Sequence, residues 1–213
     1  MTPYARHVRR ASRHQFTIGY VPVASDGGPD QVLTVENHTD VSVVPTFAFT
    51  AFDLWGRELP HVVTQTVQGS DRGGPVLPAK GALHDILRFD GPGNRQVRGI
   101  RAELIEAEEI DHPPLEKDVR SVMIDLEQRA TDDPAEFWGI GLANSNPFGV
   151  TFRVSLMEFE ERERDFPRQV VEVVTLQEDV DLASESNRVI WLPEGVRGRF
   201  HAVVHHLRPA SYV

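Results

Sequence analysis

The chain repeats itself over a distance that only a domain can fill. Shifted by 107 positions (144 − 37), residues 33–63 align with residues 140–170 without a gap. Asn37 falls on Asn144, Val43 on Val150, Phe52 on Phe159, Arg57 on Arg164, Pro60 on Pro167 and Val63 on Val170. Arg57-Glu58-Leu59-Pro60 meets Arg164-Asp165-Phe166-Pro167, conserving charge, charge, bulky apolar residue and proline in order. The period exceeds that of a solenoid repeat or a propeller blade and has the size of one small domain. Two such domains of about 100 residues each are therefore expected.

The aligned segments carry strand periodicity. Phe148, Val150, Phe152, Val154 and Leu156 alternate with polar or small residues; Val41, Val43, Phe47 and Phe49 match them, with Pro45 as the exception. A period of two with one apolar face describes a half-buried antiparallel strand. Preceding strands are expected at 32–37 and 138–144, and first strands at 15–23 and 119–126. Asn37-His38-Thr39-Asp40 and Asn144-Ser145-Asn146-Pro147 read as turns, since their side chains bond nearby backbone. Val97-Arg98-Gly99 and Val196-Arg197-Gly198 read as entries to the last strands, after hairpins at 90–94 and 193–195. Trp138 and Trp191 lie in apolar strand patterns and are expected in the core.

Short strands separated by turns, with no convincing helix, predict all-β architecture. Val35-Glu36-Asn37 and Leu142-Ala143-Asn144, each followed by a turn and a long alternating strand, resemble the immunoglobulin-like β-sandwich superfamily. The resemblance implies a tandem duplication of two antiparallel sandwiches and carries over no binding residue. The expected organisation is a basic arm at 1–14, sandwiches at 15–109 and 119–213, and an acidic linker at 110–118 stiffened by Pro113 and Pro114.

Charge and composition narrow the function classes. Arg6, Arg9, Arg10 and Arg13 give residues 1–14 a charge of +4 with no acid, so the net −10 leaves −14 for the rest. A body that acidic repels phosphate backbones, which argues against nucleic-acid binding by the domains. The chain has no cysteine, which removes disulfides, thiolate metal ligands and a cysteine nucleophile. No apolar run is long enough to span a bilayer, so a cytoplasmic protein is expected.

Catalytic and ligand motifs fare poorly against structural explanations. There is no Gly-x-Ser-x-Gly, phosphate loop or His-Glu-x-x-His. His201 and His205 share a strand face but stand ~13 Å apart at ~3.3 Å per residue, too far for one metal unless other strands, with His84 the best candidate, contribute. Asp26, Asp30, Asp132 and Asp133 match no calcium loop and read as solvated turn residues. No cofactor and no transition metal are expected. Arg57, Glu58, Arg164 and Asp165 recur under the duplication, favouring a shared structural role or a recognition surface. With Arg6, Arg9, Arg10 and Arg13 they are the candidate interaction residues.

Two functions follow. The first is a non-enzymatic protein-interaction or structural module that binds a protein partner or itself, within a larger assembly. The alternative is a carbohydrate-active hydrolase with a carboxylate pair at the domain junction.

Overall fold

The computed structural model describes residues 15–24, 29–161 and 166–208. The chain divides into two compact units. One comprises Met1–Pro114 and Arg162–Gln169, the other Leu115–Glu161 and Val170–Val213. The fold is all-β, with antiparallel pairing throughout and single-turn 3-10 segments as the described helical elements. No described helix is long and apolar enough to cross a membrane.

The strands of the first unit are β1 (Phe16–Val21), β2 (Val32–Asn37), β3 (Ser42–Phe52), β4 (Val63–Thr66), β5 (Ala82–Asp90) and β6 (Gly99–Ile110). They form a sheet in the order β1-β2-β5-β4 and a second sheet of β3 and β6. Leu33 and Val35 of β2 and Leu83, Leu87 and Phe89 of β5 pack on Val43, Phe47 and Ala51 of β3 and Ala107 of β6. Two apolar faces closing on one another in this way are compatible with a β-sandwich. Each fully buried leucine or phenylalanine contributes ~1.5–3 kcal/mol.

Pro45 breaks the alternation in sequence but not in space, because it lies buried on β3. Beside it, Val43 N donates to Leu77 O (3.0 Å) and Phe47 N to Ser70 O (2.9 Å). Position 45 lies between these two contacts on the same side of β3. Proline suits that place, as it has no N–H to leave unpaired.

The second unit holds β7 (Arg120–Ile124), β8 (Gly139–Asn144), β9 (Val150–Phe159), β10 (Val170–Leu182), β11 (Ser186–Trp191) and β12 (Ala202–Leu207). Its sheets run β11-β8-β7 and β10-β9-β12. β9 is a central strand. Val150, Phe152, Val154 and Leu156 are buried on one face, and Ser155 and Met157 on the other.

The two units differ where the repeat aligns Val63 with Val170. β4 pairs with β5, whereas β10 pairs with β9 and so joins the other sheet. Asp85 supplies a physical reason. It is buried on β5 and accepts from Gln68 N (2.8 Å), Ser70 N (3.1 Å) and Ser70 Oγ (2.5 Å), gathering the chain after β4 into a turn. Burial raises its pKa, against those hydrogen bonds. Asp85 lies opposite Leu33, and the corresponding partner of Ile140 is Ile190, which can hold no such turn.

Four readings of the sequence need correction. Arg101 lies opposite Thr50 and Ala202 opposite Met157, so the last strands are related by 101 positions (202 − 101), and the two Val-Arg-Gly segments are not counterparts. Gly99 opens β6, whereas Val196 closes a 3-10 turn well before β12. The segments at 90–94 and 193–195 connect strands of different sheets and are not hairpins. Trp191 is 45% exposed, and Trp138 is half-buried under the Arg197 guanidinium at 4.3 Å. Their neighbours Leu192 and Phe137 fill the core instead.

Candidate functional site

β3 is followed by Asp53-Leu54-Trp55-Gly56-Arg57, and these residues make a self-contained loop. Asp53 N donates to Arg57 O (2.9 Å) and Gly56 N to Asp53 O (3.1 Å). Asp53 Oδ1 accepts from Trp55 N and Arg57 N, both at 2.9 Å, and Oδ2 accepts from Arg57 Nε at 2.8 Å. Gly56 has φ +75°, the left-handed conformation that closes a three-residue hairpin loop. Burial pulls the Asp53 pKa upward, but hydrogen bonds from Arg57 and Trp55 and the Arg57 charge outweigh it, leaving it below the ordinary carboxylate value.

This framework presents apolar side chains to solvent. Leu54 is 72% and Trp55 74% exposed, and the Arg57 guanidinium lies over the indole at 4.7 Å from its centroid. Arg57 is thus committed to Asp53 and Trp55. Glu58 is exposed, and its backbone bridges to Phe52. Arg164, Asp165, Arg6, Arg9, Arg10 and Arg13 lie outside the described residues.

The same loop occurs again at Asp125-Leu126-Glu127-Gln128-Arg129, after β7. Asp125 N donates to Arg129 O (2.9 Å), Gln128 N to Asp125 O (3.1 Å), and Arg129 N and Nε to the Asp125 carboxylate, both at 2.8 Å. Gln128 takes the left-handed position, with φ +63°. Hydrogen bonds from the Arg129 backbone, then its side chain and charge, depress the Asp125 pKa against the effect of burial. Here Glu127 replaces the tryptophan, although Leu126 remains 56% exposed. The shared Asp-Leu-x-x-Arg pattern could have been found in the sequence. It is displaced by 72 positions (125 − 53) and escapes a search at the repeat period.

A buried polar cluster occupies another part of the first unit. Asp30 is fully buried, not solvated; it accepts from Ala24 N (2.9 Å) and Arg168 N (2.8 Å), with Arg168 Nε at 3.6 Å. Tyr20 donates to the buried Gln31 side chain, and burial pushes the Tyr20 pKa up. The Gln169 side chain accepts from Phe89 N (3.4 Å), and Arg98 lies over the Phe166 ring at 5.2 Å. These contacts seat residues 166–169 on the first unit. They join segments of the first unit by hydrogen bonds to backbone donors and side chains.

The remaining nominated residues have local partners. His84 Nδ1 is 3.1 Å from Thr34 Oγ1, His205 Nδ1 is 2.7 Å from Ser121 Oγ, and His201 Nδ1 accepts from Phe159 N at 3.4 Å. His84 belongs to the first unit and the other two to the second. Among the described residues, no group of three or more His, Asp or Glu is arranged to hold a metal. Asp26 lies outside the described residues, and Asp133 caps the 3-10 segment Pro134–Glu136 by accepting from Ala135 N. A cleft of about 160 Å³ lies between β1 and β6. That is below the ~300 Å³ at which small-molecule pockets begin.

No family model, characterised protein or solved structure matches the chain.

Proposed function

We propose that the chain is a non-catalytic protein-interaction module, a tandem of two duplicated immunoglobulin-like sandwiches, that engages a protein partner through the loop at 53–57. The observation that carries this reading is Trp55, a large aromatic held 74% exposed on a loop fixed by Asp53 and Arg57. Tryptophan and arginine are the residue types that most often anchor protein interfaces. A loop already ordered by its own hydrogen bonds loses less entropy on binding than a mobile one. Leu54 beside it extends the apolar contact.

The matched hydrogen bonding of Asn37 and Asn144 supports the duplication, as do the matched partners of β2 and β8. The working boundaries are 15–109 and 119–213, joined at 110–118, with residues 166–169 of the second span belonging to the first unit, in a cytoplasmic protein. Trp55→Ala and Leu54→Ser, compared with wild type in affinity capture from the host, test the reading. Loss of the same partner from both variants, with unchanged thermal melting, supports it. Unchanged capture removes the loop from the interface. Hydrolysis of a polysaccharide by the purified chain would favour the carbohydrate-active alternative.

A further inference from the structure

Residues 166–169 belong to the first unit, yet the chain reaches them from β9 and leaves them directly into β10, two strands of the second. They form part of the first unit's interior. Pro167 and Gln169 are buried, and Gln169 Oε1 accepts from Phe89 N on β5 at 3.4 Å. Asp30 Oδ2 accepts from Arg168 N at 2.8 Å, with Arg168 Nε at 3.6 Å. Asp30 has no exposed surface, so its carboxylate relies on protein donors, Arg168 among them, in place of water.

What presents this segment lies in the second unit. Val170 follows Gln169 and pairs with Phe159, the last residue of β9, and both side chains are buried. The β9–β10 ladder therefore closes the connection 160–169 at its base. The entropy of bringing the ends of that connection together is lost when the ladder forms, before residues 166–169 dock. With the second unit melted, the same docked geometry has to be held against the freedom of an open chain.

We propose that residues 166–169 are a strap that couples the folding of the two units, so that each gains the strap's stabilisation only while the other is folded. The coupling is reciprocal, as any linkage between two equilibria must be. Losing one partner of a buried charged pair shifts an opening equilibrium about a hundredfold, and that is the expected size of the coupling. The tandem then folds as one cooperative system and not as two separable modules.

The competing explanation is that the two sandwiches fold independently, as separate domains do by default, and the strap stabilises the first alone. Hydrogen exchange on the full chain distinguishes the two. Leu156→Asp puts a charge into the core beside β9 and unfolds the second unit, which the exchange of β9 and β10 reports. The expected result is exchange about a hundredfold faster across β2 and β5 than in wild type. Leu33→Asp, at a fully buried position on β2, should in turn accelerate β9 and β10 by a similar factor. Unchanged β2 and β5 in Leu156→Asp overturns the proposal. Repeating the comparison in an Asp30→Asn, Arg168→Met background separates the strap from a general failure of the chain to fold. The factor should shrink toward one in that background. An undiminished factor there overturns the strap as the carrier of the coupling.

Discussion

Asn37 and Asn144 make the same hydrogen bonds from the same place in their units. Each ends the second strand of its unit and is 2% exposed. Asn37 Nδ2 donates to Val41 O (2.9 Å) and Pro78 O (3.0 Å), and Asn144 Nδ2 to Phe148 O (2.8 Å) and Ala183 O (2.9 Å). Each carboxamide oxygen accepts from the backbone two residues on, at Thr39 N (2.9 Å) and Asn146 N (3.0 Å). One side chain thus closes the turn into the long strand and fastens the chain that later enters the fifth strand. Asn37→Ala or Asn144→Ala removes both donated bonds and the accepted bond that hold the turn, and is expected to cost ~1–3 kcal/mol in all. Urea denaturation checks this, with Asn→Asp losing the donor and behaving like alanine.

Acid should loosen both Asp-Leu-x-x-Arg loops. The folded pKa values of Asp53 and Asp125 lie below their unfolded values. Ionised carboxylates therefore stabilise the fold above the unfolded pKa of ~3.9, and that stabilisation is lost as pH falls through the folded values. The double variant Asp53→Asn, Asp125→Asn should be less stable at pH 7 and show a flatter acid limb. Melting temperatures measured from pH 7 down to pH 2 read the difference, which should shrink toward the acid end.

Asp30 makes Arg168 sensitive to substitution. With Asp30 fully buried, Arg168→Met takes the guanidinium away from its carboxylate. Removing one partner of a buried pair costs about 3 kcal/mol or more. The double variant Asp30→Asn, Arg168→Met should recover part of the loss. Chemical denaturation of the two single variants and the double variant measures the coupling, and strict additivity would show that the charges do not interact.

What could be read from the sequence was local pattern. The alternation through Phe152, Val154 and Leu156 marks β9, and Asn144 marks its entry, because both depend on neighbours a few residues away. Asp30 could not be read as buried, since its partner Arg168 lies 138 positions on. The different sheets chosen by β4 and β10 depend on Asp85, a single carboxylate that no alternation reveals. Trp191 and Leu192 show the same limit. A strand pattern says that one of two adjacent apolar residues faces inward, and only the register with Gly139 says which. The exposure of Trp55 depends on the frame that Asp53 and Arg57 build around it, which a single tryptophan in the sequence does not announce.

Exposure of Trp55 has a stability counterpart. An exposed side chain away from the core changes stability by no more than ~0.5 kcal/mol when truncated, so Trp55→Ala should melt with wild type. Phe152→Ala, fully buried on β9, should cost ~3–5 kcal/mol. Differential scanning calorimetry of the two variants side by side separates a residue kept for binding from one kept for packing.

Photo-cross-linking from position 55 in the native host tests the interaction loop most directly. A photoreactive phenylalanine replaces Trp55, and the same residue at Leu126 serves as a control on the loop that lacks the tryptophan. The expected result is one discrete protein adduct from position 55, absent from position 126 and lost when Leu54→Ser is added. Equal, diffuse labelling from both positions would contradict a role for Trp55 in binding.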